Sequence, residues 1–167
     1  LPWGEPFSLE KSAAYQCVRA AGPIVIDGGL DDPAWAQAQQ IEHFVVPPRM
    51  NWTEFKMTGS RRARSQSHVR LLWDDKYLYL GAELEDRDVY GATPAGHDNP
   101  FGPDDIIELF VKPSDEQPWY WEFHVTPSGC TRDYFYARRG SGGEKRWMKY
   151  ESGMAAKATV VGTCDDW

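Results

Sequence analysis

The sequence predicts an all-β fold, an antiparallel β-sandwich of the jelly-roll or immunoglobulin-like kind, with one long acidic loop and little helix. Apolar and polar residues alternate with a period of two along several short segments, as in strands that bury one face. Turn residues separate these segments at a spacing typical of sandwiches. Aromatic residues make up 14% of the chain, which favours a core packed by rings.

The first half of the chain predicts one helical turn and one β-hairpin. Residues 31–33, Asp-Asp-Pro, open the helical turn with an acid at the cap and Pro in the first turn, and Trp35 is expected to anchor it on the core. Residues 69–73 form the first arm of the hairpin, and 74–76, Asp-Asp-Lys, form its tight turn. In the second arm, 77–84, one face carries Leu or Ala at every position and is predicted to face the core.

The second half predicts a long loop followed by further strands. Residues 85–105, the acidic loop, contain three Gly, three Pro and six acids, and loops of this length inside a compact domain are usually functional. Strands are predicted at 106–111, 119–125, 131–137 and 155–161, and residues 54–67 are predicted to be a loop between strands. The predicted core consists of Trp35, Trp73, Leu78, Leu80, Leu84, Ile107, Leu109, Trp121 and Phe123.

Size and charge restrict the function classes. A chain of 167 residues predicts one domain over residues 1–167. No apolar run approaches the length of about eighteen residues that a membrane-spanning helix needs, so no membrane span is expected. The net charge of −7 disfavours a nucleic-acid partner, because phosphate binding depends on clustered basic residues. The basic cluster Arg61, Arg62 and Arg64 indicates a solvated loop.

Cysteine spacing excludes a zinc site built from cysteines. Cys17, Cys130 and Cys164 lie far apart without a C-x-x-C pair. One disulfide, as in a secreted protein, and three isolated thiols both remain open.

Four segments, taken in order, resemble the family 9 carbohydrate-binding modules. They are IVIDGGLDDPAW (24–35), VRLLWDDKYLYLGAELED (69–86), DNPFGPDDIIELFV (98–111) and WEFHVTPSG (121–129). The resemblance implies a non-catalytic, extracellular or periplasmic bacterial domain that binds β-glucan, xylan or sugar chain ends and supports polysaccharide degradation. It also implies an appended catalytic domain of the glycoside hydrolase class. Because the family continues with further strands, the chain is expected to be part of a longer polypeptide.

The resemblance also implies a sugar site. Phe101 would form one aromatic wall, where the best-known members carry Trp, and the other wall would lie beyond Trp167. Glu108 matches an acid that binds sugar hydroxyls, and His124 stands where members place an Arg. Strand parity places Glu108 and His124 away from the core faces of their strands. A solvent-facing Glu108 and a structural His124 remain the alternatives.

Calcium is the expected cofactor, and no organic cofactor is expected. Asp86, Asp88, Asp98 and Asp105, with backbone carbonyls, offer the oxygen ligands that Ca²⁺ prefers, and the resemblance implies a structural ion. The sequence contains no EF-hand spacing, so solvated turn acids explain the same residues equally well.

Catalysis has little support, because no motif selects a pair of carboxylates and no G-x-S-x-G, H-E-x-x-H or phosphate-binding Gly loop is present. Two alternatives to sugar binding remain open. One is a haem-binding electron-transfer module of a related sandwich superfamily, and the other is a structural domain whose sugar site has decayed. The residues available to haem are Met50, Met57, Met148, Met154, His43, His68, His97 and His124.

Overall fold

A computed structural model describes residues 14–42, 44–46, 50–51, 56–57, 61–62, 65–97, 104–139 and 151–162. The chain forms two compact units: Leu1–Ile24 with Leu30–Asp86, and Val25–Gly29 with Arg87–Trp167. The expectation of a single domain stays a prediction. The elements in chain order are β1 (Val18–Arg19), a 3-10 turn (Pro33–Gln37), β2 (Val45–Val46), β3 (Met50–Asn51), β4 (Lys56–Met57), β5 (Arg61–Arg62), β6 (Ser67–Trp73), β7 (Leu78–Leu84), β8 (Gly96–His97), β9 (Ile107–Val111), β10 (Tyr120–Val125) and β11 (Cys130–Tyr136).

The all-β class predicted from the sequence is confirmed. Each unit has one main sheet, with strand order β1-β6-β7 in the first and β8-β11-β10-β9 in the second, in agreement with the predicted sandwich class. Helix within the described ranges is confined to the 3-10 turn. None of the helices found there is long and apolar enough to cross a membrane.

The predicted hairpin in the first unit is confirmed as the antiparallel pair β6 and β7. Asp74 fixes its turn, because Asp74 Oδ1 accepts hydrogen bonds from the backbone N–H groups of Lys76 at 2.7 Å and Tyr77 at 2.8 Å. The Tyr79 hydroxyl donates to Asp74 Oδ2 at 2.8 Å. These bonds, that of Lys76 first, lower the pKa of Asp74, so the ionised carboxylate stabilises the turn.

Trp35 anchors the 3-10 turn as predicted. Its ring is buried with Ala34 and Leu72, although Asp32 at the cap position makes no capping side-chain hydrogen bond. The ring lies over Gly81 of β7, where an added Cβ would stand 3.0 Å from the Trp35 ring. The absence of a side chain at Gly81 therefore lets the turn approach the sheet closely.

The predicted core face of β7 is wrong at its ends. Leu78 and Leu84 are 51% and 52% exposed, and Trp73 on β6 is 41% exposed. The face that packs against Trp35 is the opposite one, which carries Tyr79 and Gly81. The alternation of residues along β7 identified its two faces correctly but did not show which one the 3-10 turn covers. The turn covers the face of Gly81, because the Trp35 ring fits only where no side chain is present.

The predicted loop 54–67 is also corrected. It contains β4 and β5, which pair antiparallel with β3 and β2 respectively, and its last residue, Ser67, begins β6. Arg61 and Arg62 therefore belong to a strand. Strands of two residues pair their backbone N–H and C=O groups without a long alternation of apolar and polar residues. Such short strands are therefore hard to predict from the sequence.

In the second unit, β9, β10 and β11 form an antiparallel meander, and β8 lies parallel to β11. Turn 126–129 joins β10 to β11. Thr126 N–H donates to the Cys130 carbonyl at 3.0 Å, and Gly129 N–H donates to the Thr126 carbonyl at 3.0 Å. Gly129 has φ +81°, a conformation that favours glycine. The turn thereby fixes the register of the two strands.

The strand predicted at 155–161 is absent, because residues 151–162 are described without strand pairing. Side-chain bonds hold this segment instead. Asp133 Oδ2 accepts hydrogen bonds from the Ser152 N–H at 2.6 Å and from the Ser152 hydroxyl. Further along, a Cβ at Gly28 would lie 2.5 Å from Thr159 Oγ1, so the segment also packs closely on Gly28.

Candidate functional site

One face of the second unit's sheet carries three polar side chains in a row across β9, β10 and β11. His124 is the direct partner of Glu108 on β9 and of Arg132 on β11. Residues directly opposite each other in antiparallel strands project to the same face. We call Glu108, His124 and Arg132 the polar row. The sequence predicted each of Glu108 and His124 to lie opposite the core face of its strand, and the pairing of β9 with β10 brings the two together. Their roles in sugar binding stay predictions.

His124 lies at the centre of the polar row and is 1% exposed. Its Nε2 is 3.7 Å from Glu108 Oε1 and 3.6 Å from Glu122 Oε2. Its ring meets that of Tyr134 edge to face, with 5.4 Å between centroids. The Glu108 side chain is 39% exposed, so its carboxylate contacts both the imidazole and solvent.

Aromatic rings cover the same face beside the polar row. Phe110 stacks on Tyr120 with 6.3 Å between centroids, and Tyr120 stacks on Tyr136 at 5.1 Å. We call these three residues the aromatic ladder. Burial, followed by the nearby charge of Glu122, raises the pKa of Tyr120, so its hydroxyl stays neutral. Phe110 at the β9 end of the ladder is 56% exposed and offers an apolar ring to solvent.

Arg132 was missed in the sequence analysis. It is 8% exposed, and its guanidinium lies 5.2 Å from the centroid of the Tyr134 ring. The signal that could have found it is turn 126–129, since the length of that turn places Arg132 opposite His124. A strand pattern alone gives the parity of β11 but not its register.

Two further predicted site residues, Phe101 and Asp98, lie outside the described residues. Within the described part of the acidic loop, Asp104 anchors the backbone. Its carboxylate accepts hydrogen bonds from the N–H groups of Ala92 at 2.6 Å and Thr93 at 3.2 Å, and from the Thr93 hydroxyl. The Thr93 hydroxyl is the main cause of a lowered pKa for Asp104. The sequence analysis had not singled out Asp104.

The calcium expectation stays a prediction. In the described ranges, no three His, Cys, Asp or Glu side chains are grouped so as to hold a metal ion. Asp105 Oδ2 accepts a hydrogen bond from the Tyr90 N–H at 2.7 Å, and Asp86 and Asp88 are exposed. A pocket of about 430 Å³ lies in the first unit, lined in part by Trp35, Gln40 and Arg70, and contains none of the predicted site residues.

Comparison with known families decides the assignment. Residues 26–125 match the model of the family described as carbohydrate family 9 binding domain-like. The chain belongs to this family. The match confirms the resemblance predicted from the sequence, and it includes β9 and β10, with Glu108 and His124, but ends before Arg132.

Two curated family relatives are xylanases. The chain is 32% identical to endo-1,4-beta-xylanase C of Paenibacillus barcinonensis over 90 residues, which are 54% of this chain and 7% of that enzyme. It is 29% identical to endo-1,4-beta-xylanase A of Thermotoga maritima over 101 residues, which are 60% of this chain and 8% of that enzyme. The chain thus spans a small part of the curated relatives it matches. No solved structure matches the chain.

Proposed function

We propose that the chain is a non-catalytic module that binds β-linked glucan or xylan, or the mono- and disaccharide ends of such chains. The single observation that supports this most directly is the Glu108 carboxylate, which reaches solvent beside His124 and the exposed ring of Phe110. A pyranose has apolar C–H faces that stack on rings and a rim of hydroxyls that bind carboxylates. The site therefore offers both kinds of contact.

The proposed roles of Glu108 and His124 follow from their exposure, and that of Phe101 follows from the family resemblance. Glu108 accepts hydrogen bonds from sugar hydroxyls, and Phe101 stacks on the ring. Because His124 is buried between Glu108 and Glu122, its role is to hold Glu108 in position. Stacking on one ring contributes about 0.5 to 1.5 kcal/mol beyond area burial, and a net hydrogen bond about 1 kcal/mol, so we expect weak binding.

The two xylanase relatives suggest which polysaccharide and which partner enzyme to test. Both are endo-1,4-beta-xylanases, so we propose xylan as the first polymer to test. We further propose that the chain is attached to or acts with a glycoside hydrolase outside the bacterial cytoplasm, where insoluble polysaccharide is found.

The proposal is tested by calorimetric titration with xylobiose, cellobiose and glucose, and by sedimentation with insoluble xylan and cellulose. Phe101→Ala and Glu108→Ala are each expected to weaken binding about fivefold, the effect of one ring contact or one hydrogen bond. Glu116→Ala, an exposed change in the turn after β9, is the matched control and should leave binding unchanged.

The alternatives predict different results. A haem module would purify red with a strong Soret band, whereas we expect a colourless protein. A structural domain with a decayed site would bind none of the sugars and neither polymer. Binding that is unaffected by both substitutions would show that the proposed site is wrong.

A further inference from the structure

Arg132 has an unusual environment for a charged side chain. It is 8% exposed, and its Nε is fully buried without a hydrogen-bond partner among the described residues. Burying a guanidinium removes it from water, and this cost is normally offset by a carboxylate and by hydrogen bonds. The contact that the structure gives its guanidinium is the face of the Tyr134 ring, a cation–π contact.

The carboxylates on the same face are engaged elsewhere. Glu108 and Glu122 both approach Nε2 of His124. Asp133, the next residue of β11, points to the opposite face and bonds Ser152. No acid in the described part of the chain forms an ion pair with Arg132. The Arg132 guanidinium is thus a largely buried hydrogen-bond donor in the polar row. The described residues supply no carboxylate that pairs with it.

We propose that Arg132 binds the carboxylate of an acidic sugar, a uronic acid residue carried by the polysaccharide. The planar guanidinium matches a carboxylate in two parallel hydrogen bonds. Arg132 and Glu108 lie one strand to either side of His124, which separates their Cα atoms by roughly 10 Å at the usual strand spacing. A sugar chain lying across the strands could therefore donate its hydroxyls to the Glu108 carboxylate and accept hydrogen bonds from the Arg132 guanidinium at its own carboxylate. This inference rests on the proposed function and specifies its substrate class.

The test compares three ligands with the unaltered chain: a xylo-oligosaccharide with one glucuronic acid branch, the methyl ester of the same compound, and the unbranched oligosaccharide. The ester keeps the shape and removes the charge. We expect the acid to bind about tenfold more tightly than the ester, the size of effect typical of a charge-assisted pair. Raising the salt concentration should reduce this preference.

Variants then assign the preference to Arg132. Arg132→Gln should make the acid and the ester bind equally, and Arg132→Lys should keep part of the preference as a point charge. Arg138→Gln, an exposed change just after β11, should keep all of it. Should Arg132→Gln fail to fold by circular dichroism, Arg132→Lys takes its place, and a preference for the acid that is undiminished in this variant overturns the role of Arg132.

The outcomes separate the two proposals. Equal binding of acid and ester by the unaltered chain overturns the role of Arg132 and leaves sugar binding standing. A preference for the acid that persists in a folded Arg132→Gln variant also overturns it. Failure to bind any of the three ligands, or insoluble xylan and cellulose, overturns the proposed function together with this inference.

Discussion

Glu108 and His124 face each other across β9 and β10, with 3.7 Å between Oε1 and Nε2, and Glu122 approaches the same nitrogen at 3.6 Å. Both carboxylates therefore lie next to one imidazole nitrogen, at distances longer than a hydrogen bond. Of these two residues Glu108 extends to solvent, and we expect its position to depend on the buried His124. Their effects on binding should consequently be coupled.

A double-mutant cycle measures this coupling. We expect His124→Ala to weaken sugar binding about as much as Glu108→Ala, and the double variant to lose little more than either single one, because both changes remove the same positioned carboxylate. Affinity is measured by calorimetry, and circular dichroism checks the fold of each variant. Additive losses would mean that the two residues act independently.

Asp104 should make a pH-dependent contribution to stability. Its hydrogen bonds, led by that of the Thr93 hydroxyl, hold the pKa below its ordinary value, so the ionised form favours the folded state. This contribution is complete above the ordinary Asp pKa of about 3.9 and is lost as the pH falls through the lower folded value.

Asp104→Asn should therefore lower the melting temperature by a few degrees at about pH 7, and the gap to the unaltered chain should shrink at about pH 3. Asp115→Asn, in an exposed turn, is the control and should change little at either pH. A gap of the same size at both pH values would argue against this role of the carboxylate.

Calcium removal is a separate test of the acidic loop. If Asp86, Asp88, Asp98 and Asp105 bind a structural ion, excess chelator should lower the melting temperature, because the ion binds only the folded state, and added Ca²⁺ should restore it. Melting that is indifferent to chelator, together with elemental analysis that finds no calcium, would end this proposal.

Gly81 and Gly22 form a matched pair of substitutions. A Cβ at Gly81 would lie 2.6 Å from Leu30 and 3.0 Å from the Trp35 ring, whereas a Cβ at Gly22 meets nothing within 4 Å. We expect Gly81→Ala to cost about 1 to 3 kcal/mol of unfolding free energy through overpacking. Gly22→Ala should stay within about 0.5 kcal/mol of the unaltered chain. Denaturant unfolding measures both, and equal effects would contradict the close approach of Trp35 to β7.

Local signals account for most of what the sequence predicted correctly. The Asp-Pro turn that carries Trp35 and the hairpin turn at Asp74 are each determined by a few neighbouring residues. The strands that carry Glu108 and His124 were predicted to within one residue, and parity placed these side chains opposite Leu109 and Phe123 on their respective strands. These features depend on short-range geometry, which the sequence displays directly.

The errors involve contacts between distant segments. Alternation on β7 leaves two possible core faces, and only the packing of Trp35 over Gly81 selects one. Arg132 joins the polar row through the register of β10 and β11, which strand periodicity does not determine. Apolar and polar residues alternate along 155–161 as in a strand, yet this segment forms no strand pairing. The residues before it are held by hydrogen bonds from Ser152 to Asp133.

Neighbouring residues of β11 serve opposite faces: Arg132 lies beside His124, and Asp133 lies opposite Phe123 and holds Ser152. The length of turn 126–129 determines that Arg132, and not Asp133, lies opposite His124. A one-residue insertion or deletion there would exchange the two faces, since side chains alternate along a strand. Asp133 would then join Glu108 and Glu122, and that face would become strongly acidic. Relatives whose turn differs in length can thus carry an oppositely charged face on nearly identical strands, so an alignment that ignores this gap would misassign their ligands.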